Sequence, residues 1–114
     1  MAKVLVVEDD LDQLAIRRQL LEHAGYEICT AQTAAEGLPR LPGCQVVLMD
    51  LHVPRLDDGL ELIRSATAAR ARVIVLSGAQ LDTPQGVDEF LVKPCSSRKL
   101  LEAIARLCSS AQNA

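Results

Sequence analysis

Four short apolar runs punctuate the chain, and each ends on polar residues of a different kind. Val4-Leu5-Val6-Val7 gives way to Glu8-Asp9-Asp10, and Val46-Val47-Leu48-Met49 to Asp50. Val73-Ile74-Val75-Leu76 gives way to Ser77-Gly78, and Phe90-Leu91-Val92 to Lys93-Pro94. The runs are apolar throughout instead of alternating, which predicts strands covered on both faces. Between them lie helical patterns. Asp10 with Gln13 three positions later reads as a capping box. Ile16, Leu20 and Ala24 then recur at four-residue spacing, Leu21 widens the stripe, and Gly25 stops it. Residues 26–30 read as a second strand and residues 33–41 as a helix capped by Thr33, although Gly37 and Pro39 oppose helix there. Gly59 ends the loop after Asp50, and Leu60, Leu62, Ile63 and Ala66 carry a helix to about Ala69. Leu100-Leu101, Ile104 and Leu107-Cys108 mark a last amphipathic helix.

Alternating strand and helix over 114 residues predicts one α/β domain, residues 1–114, with right-handed crossovers and a parallel sheet. In such open sheets ligands sit outside the carboxyl ends of the strands, where strand order reverses. All four polar signals stand at carboxyl ends. Neighbouring strands lie about 4.8 Å apart, so Asp50 and the acids after the first strand come within one cation's reach if those two strands are adjacent.

Composition narrows the function. Tyr26 and Phe90 are the only aromatics, so no stacking platform for nucleic acid exists. A net charge of -3 and a pI near 5.3 give no field to attract phosphate backbones or anionic lipid, although nine arginines could form a local patch. The N-terminus is too short in apolar residues for a signal peptide or a membrane span, and a soluble, cytoplasmic protein is expected. Cys29, Cys44, Cys95 and Cys108 are scattered without ligand spacing and read as reduced structural thiols.

Taken in order, the segments Lys3-Val-Leu-Val-Val-Glu-Asp-Asp, Val47-Leu-Met-Asp-Leu-His-Val-Pro, Val73-Ile-Val-Leu-Ser-Gly-Ala and Phe90-Leu-Val-Lys-Pro resemble the receiver domain of two-component response regulators. The resemblance spans essentially the whole chain. It implies a flavodoxin-like (βα)5 fold with strand order 2-1-3-4-5, which makes the first and third strands neighbours. It further implies that Asp50 accepts a phosphoryl group from a histidine kinase or phosphotransfer protein. Asp9 would bind Mg2+ directly and Glu8 through water, with Asp50 and the His52 backbone carbonyl as further ligands. Ser77, Gly78 and Lys93 would contact the phosphoryl group, Ser77 as the switch hydroxyl. Phe90 reads from the residues as a core aromatic, and the resemblance puts it at the position of a rotating switch residue. His52 stands two residues after Asp50, where receiver side chains influence dephosphorylation; a solvated loop histidine is the plainer alternative.

Each residue type suits its part. Two carboxylates about 5 Å apart repel by roughly 3 kcal/mol at an effective dielectric near 20, so the acidic edge calls for a cation. Mg2+ fits, because it uses few carboxylates and keeps several waters. A carboxylate is a competent nucleophile toward phosphorus, and the transferring group carries charge that Lys93 would offset.

The chain also departs from the family. Asp57-Asp58-Gly59 carries one residue more than usual after Asp50. Between Ser77 and Lys93 only 15 residues intervene, where a fourth helix usually stands. Residues 78–88 contain Pro84 and two glycines and no apolar stripe, so a shortened helix or a loop is expected there. Such a loop would alter the usual signalling surface and could be ordered on phosphorylation. The expected function is a stand-alone phosphoacceptor, not an enzyme beyond limited self-phosphorylation and self-dephosphorylation, that signals by altered protein contact. The alternative is a receiver-like scaffold that binds a partner without phosphorylation. An Mg2+-dependent phosphatase ranks last, because His52 stands where such enzymes need a second acid.

Overall fold

In the computed structural model residues 2–78 and 82–112 are described. Strands β1 (Lys3–Val7), β2 (Glu27–Ala31), β3 (Val46–Met49), β4 (Arg72–Ser77) and β5 (Glu89–Val92) form one parallel sheet in the order β2-β1-β3-β4-β5. Helices α1 (Leu11–His23) and α4 (Ser97–Gln112) cover one face, and α2 (Ala34–Gly37) and α3 (Leu56–Ala68) the other. Adjacent residues of one strand feed different cores. Val4, Val6, Leu48 and Ile74 pack with Leu21 and Ile104, whereas Leu5, Val7, Met49 and Val75 pack with Leu62 and Ile63. That two-sided burial is why the central strands read as continuous apolar runs.

Helix α1 differs from its sequence reading in which face it buries. Leu14, Arg17 and Leu21 point inward, while Ile16 is 59% exposed and Ala24 lies in solvent. An apolar count passes over Arg17 because a buried arginine is not an apolar signal. Asp10 caps the helix by accepting from the Asp12 and Gln13 amides at 2.9 and 3.1 Å. The reciprocal half of the expected box comes from elsewhere, since the Asp10 amide donates to Glu8 Oε2 at 3.2 Å.

Thr33 caps α2 through the Glu36 amide, but the helix ends after one turn. Pro39 cannot donate the next α-type hydrogen bond, and the chain continues as a 3-10 turn over Leu38–Arg40. Helix α3 begins earlier than expected. Its first amide-bearing neighbour, Arg55, donates to Asp58 Oδ2 at 3.2 Å, so the acids before Gly59 belong to the first helical turn and not to the loop.

Between β4 and β5 no helix occurs among the described residues; residues 79–81, part of the segment expected to respond to phosphorylation, lie outside them. The rest of the connector is held at its far end. Asp88 accepts from the Val73 amide at 2.8 Å and from Arg72 at 3.2 Å, and its own amide donates to the Val73 carbonyl at 2.9 Å. Val87 and Phe90 pack onto the α2/α3 side of the core.

Candidate functional site

The strand ladders run directly into the polar residues that follow them. Val7 pairs with Met49, and one step on, the Asp50 amide donates to the Val7 carbonyl at 3.3 Å. The Glu8 amide donates to the Ala31 carbonyl at 3.0 Å, and the Lys93 amide to the Ser77 carbonyl at 2.8 Å. Parallel register therefore brings Glu8, Asp50, Ser77 and Lys93 to a common edge through backbone bonds alone.

At that edge the Lys93 ammonium lies 3.0 Å from Asp50 Oδ2 and 3.5 Å from Glu8 Oε1. The Lys93–Pro94 peptide is cis. Glu8 is 2% exposed and Ser77 3%, whereas Asp9 is exposed. Asp50 Oδ1 accepts from the His52 amide at 3.1 Å, and the exposed His52 ring stands 3.9 Å from the same oxygen. Below the site, buried Leu51 and Val53 anchor the loop, and the Val53 carbonyl accepts from the Ala34 amide at 2.7 Å. Gly78 is exposed at the end of β4, and a Cβ built on it would meet no described residue within 4 Å. Phe90 is half-buried against the core and not part of the charged cluster.

The charges are unevenly compensated. Burial pushes the Glu8 carboxyl up, but the Asp10 amide, the neighbouring Asp9 carboxyl and the Arg17 guanidinium together hold it below its ordinary value. Asp9 is raised, first by its hydrogen-bonding contact with the Glu8 carboxylate, then by partial desolvation and the charges of Glu8 and Asp50. Among the described residues no three metal-ligating side chains are grouped tightly enough to form a ready-made cage. A cation that keeps most of its waters and takes oxygen ligands from one or two carboxylates needs no such cage. The hard oxygen donors of Asp9 and Asp50, with Glu8 behind them, fit Mg2+ in that sense.

Arg17 is the residue that sequence reading missed. It is 5% exposed, and its Nη1 donates to Glu8 Oε1 at 2.5 Å. The signal available was a cation at an i, i+3, i+7 slot between Leu14 and Leu21, opposite an acid at the end of the strand that the helix covers.

The family model for the response regulator receiver domain matches residues 4–105. Among curated proteins, the transcriptional regulatory protein CpxR homolog of Haemophilus influenzae is 30% identical over 99% of this chain and 54% of its own length. Protein PilH of Pseudomonas aeruginosa is 28% identical over 91% of this chain and 95% of its own length. The chain spans about half the length of the first of these relatives and of its Escherichia coli counterpart. Among solved structures, a CheY-like receiver domain protein from Methanospirillum hungatei superposes with a TM-score of 0.89 at 29% identity, covering 99% of this chain and 98% of that one. The BeF3-activated DrrB receiver domain superposes at 0.82 with 26% identity, covering 96% and 98%.

Proposed function

Because the chain belongs to the response regulator receiver domain family, we propose that Asp50 is its phosphoryl acceptor. The observation that carries this is the Lys93 ammonium at 3.0 Å from Asp50 Oδ2, beside the buried Glu8 and exposed Asp9. An Asp50 carboxylate oxygen attacks phosphorus, the bond from phosphorus to the donor breaks, and the donor leaves with the electron pair. The donor is a histidine kinase or phosphotransfer protein.

Lys93 holds the attacking carboxylate and offsets charge on the equatorial oxygens, where a fixed cation is worth most. The His52 amide orients the other carboxylate oxygen. Ser77 and Gly78, at the end of β4, offer a hydroxyl and an amide to the phosphoryl oxygens once the aspartyl phosphate has formed. Phe90, half-buried on β5 opposite Val75, is the core residue proposed to shift with Ser77. Asp9 and Asp50, with Glu8 through water and the His52 carbonyl, would hold Mg2+. When bound, Mg2+ supplies charge neutralisation between the carboxylates and the incoming phosphoryl group.

The output is proposed to be altered contact with a partner protein. The net charge of -3 gives no general attraction to nucleic acid. No helix among the described residues is long and apolar enough to cross a membrane.

Incubation with acetyl phosphate and Mg2+, followed by intact-mass measurement, tests the reading. A gain of about 80 Da that decays over time, needs Mg2+ and is missing in Asp50→Asn is expected. No gain with any donor would leave a constitutive scaffold as the better reading.

A further inference from the structure

Arg17 occupies a slot of α1 where the helix face otherwise buries Leu14 and Leu21. Glu8, Arg17 and Ser77 are the only polar residues buried among those described. A guanidinium in such a place is tolerated only with a partner that offsets its desolvation, and Glu8 Oε1 at 2.5 Å is that partner. Glu8 is engaged on every side: Oε1 also faces Lys93 at 3.5 Å, and Oε2 accepts the Asp10 amide at 3.2 Å. Its charge is thus met inside the protein even when Lys93 leans to Asp50.

We propose that Arg17 is a resident counter-ion for Glu8, a positioning residue that fixes this carboxylate in the wall of the site and sets how strongly the acidic edge takes up Mg2+. The inference rests on the reading of the site given above. Glu8, Asp9 and Asp50 bring three carboxylates to this edge, and Lys93 and Arg17 two cations, leaving one formal negative charge instead of the two that would remain without Arg17. A dication is drawn by that remainder. Removing one unit of positive charge several ångströms away should tighten its binding by about five- to tenfold. Arg17 thereby holds Mg2+ affinity down and keeps Glu8 from turning toward the ion.

The slot opens on a cleft of about 460 Å3 between α1 and the β5–α4 loop, bordered by Gln13, Ile16, Lys93 and Pro94, so water can replace a shortened side chain. Mg2+ affinity of the unphosphorylated chain, measured by calorimetry, is the readout. Arg17→Gln is expected to bind Mg2+ about five- to tenfold more tightly, and Arg17→Lys to stay close to wild type. A folded Arg17→Gln protein with unchanged or weaker affinity would overturn the proposal. A second comparison does not depend on that variant folding. Glu8→Gln leaves Arg17 unpaired and should bind Mg2+ more weakly than wild type, and adding Arg17→Gln to it should restore the affinity. Equal affinities for Glu8→Gln and the double variant would equally overturn the role of Arg17. Wild type that binds no Mg2+ and gains no phosphoryl group would bring down the reading of the site itself, and this inference with it. Normal phosphorylation with an Arg17-independent Mg2+ affinity would remove the inference alone.

Discussion

The carbonyl oxygen of Leu51 sits so close to Gly59 that a Cβ on the glycine would lie 1.9 Å from it. Leu51 follows Asp50 directly and is itself 1% exposed, so this contact sets the height of the loop that carries Asp50, the proposed acceptor. Gly59→Ala must push backbone, not a flexible side chain. It is expected to destabilise the fold by about 1–3 kcal/mol and to lower the rate of phosphorylation with it. Denaturant unfolding and acetyl phosphate labelling measure the two effects. Unchanged stability would show that the helix slides without consequence.

Lys93 touches both Asp50 and Glu8, at 3.0 and 3.5 Å, while keeping 30% of its side chain exposed. Lys93→Met preserves length and removes the charge. Phosphorylation of Asp50 should slow by roughly a hundredfold, the typical loss for a donor aimed at developing negative charge. Because Arg17 still meets Glu8, the variant should fold. Labelling rates within a factor of two of wild type would exclude a role in the transfer.

How far the chain could be read in advance follows from where each determinant lies. The strands themselves were legible, since buried parallel strands write themselves as apolar runs, whereas their order, and with it the adjacency of Glu8 and Asp50, followed only from the resemblance to receiver domains. The Asp10 and Thr33 caps were legible because a cap is a local exchange of side chain for backbone. Gly59 was not: within the chain it reads as a breaker, and its real constraint comes from Leu51, eight residues away and in contact only once the loop has packed. Arg17 was hidden for the same kind of reason. Its inward direction follows from Glu8, a residue on another element. The helix-poor connector was readable from Pro84 and its glycines, but the Asp88 brace on Val73 depends on tertiary register.

The acids of the site respond to pH with opposite signs. Glu8 is held below its ordinary 4.5, so the unfolded chain binds that proton more tightly; the stability it brings is present above pH 4.5 and is lost as pH falls through the lowered value. Asp9 is raised above its ordinary 3.8, so the native state holds its proton more tightly, and ionising it removes stability as pH rises through the raised value. Asp9→Asn is therefore expected to raise the melting temperature in EDTA at neutral pH and to give no gain below pH 3.8. A gain that persists in acid would mean that charge is not the cause.

Burial pushes the thiols of Cys44 and Cys108 above their ordinary range, and only the thiolate reacts with alkylating reagents. At pH 8 these two should resist labelling in the native protein and react fully on unfolding, while the less buried Cys29 and Cys95 are modified first. Mass mapping of a timed iodoacetamide reaction gives the order. Early labelling of Cys108 would indicate that α4 opens readily from the sheet.

Asp88 braces the connector between β4 and β5, where no helix occurs among the described residues. Asp88 Oδ2 accepts from the amide of Val73, which is fully buried at the start of β4, and Oδ1 accepts from Arg72 at 3.2 Å. The two bonds differ in worth. The Arg72 pair is substantially exposed and should contribute well under about 1 kcal/mol, whereas a buried amide left without an acceptor costs about 1–3 kcal/mol. Asp88→Asn keeps an oxygen for the Val73 amide and loses only the charge; Asp88→Ala loses both. The alanine variant should therefore be the less stable by about 1–2 kcal/mol, with faster hydrogen exchange at Val73. Equal losses in the two variants would mean that the ion pair, and not the amide contact, holds the connector against the sheet.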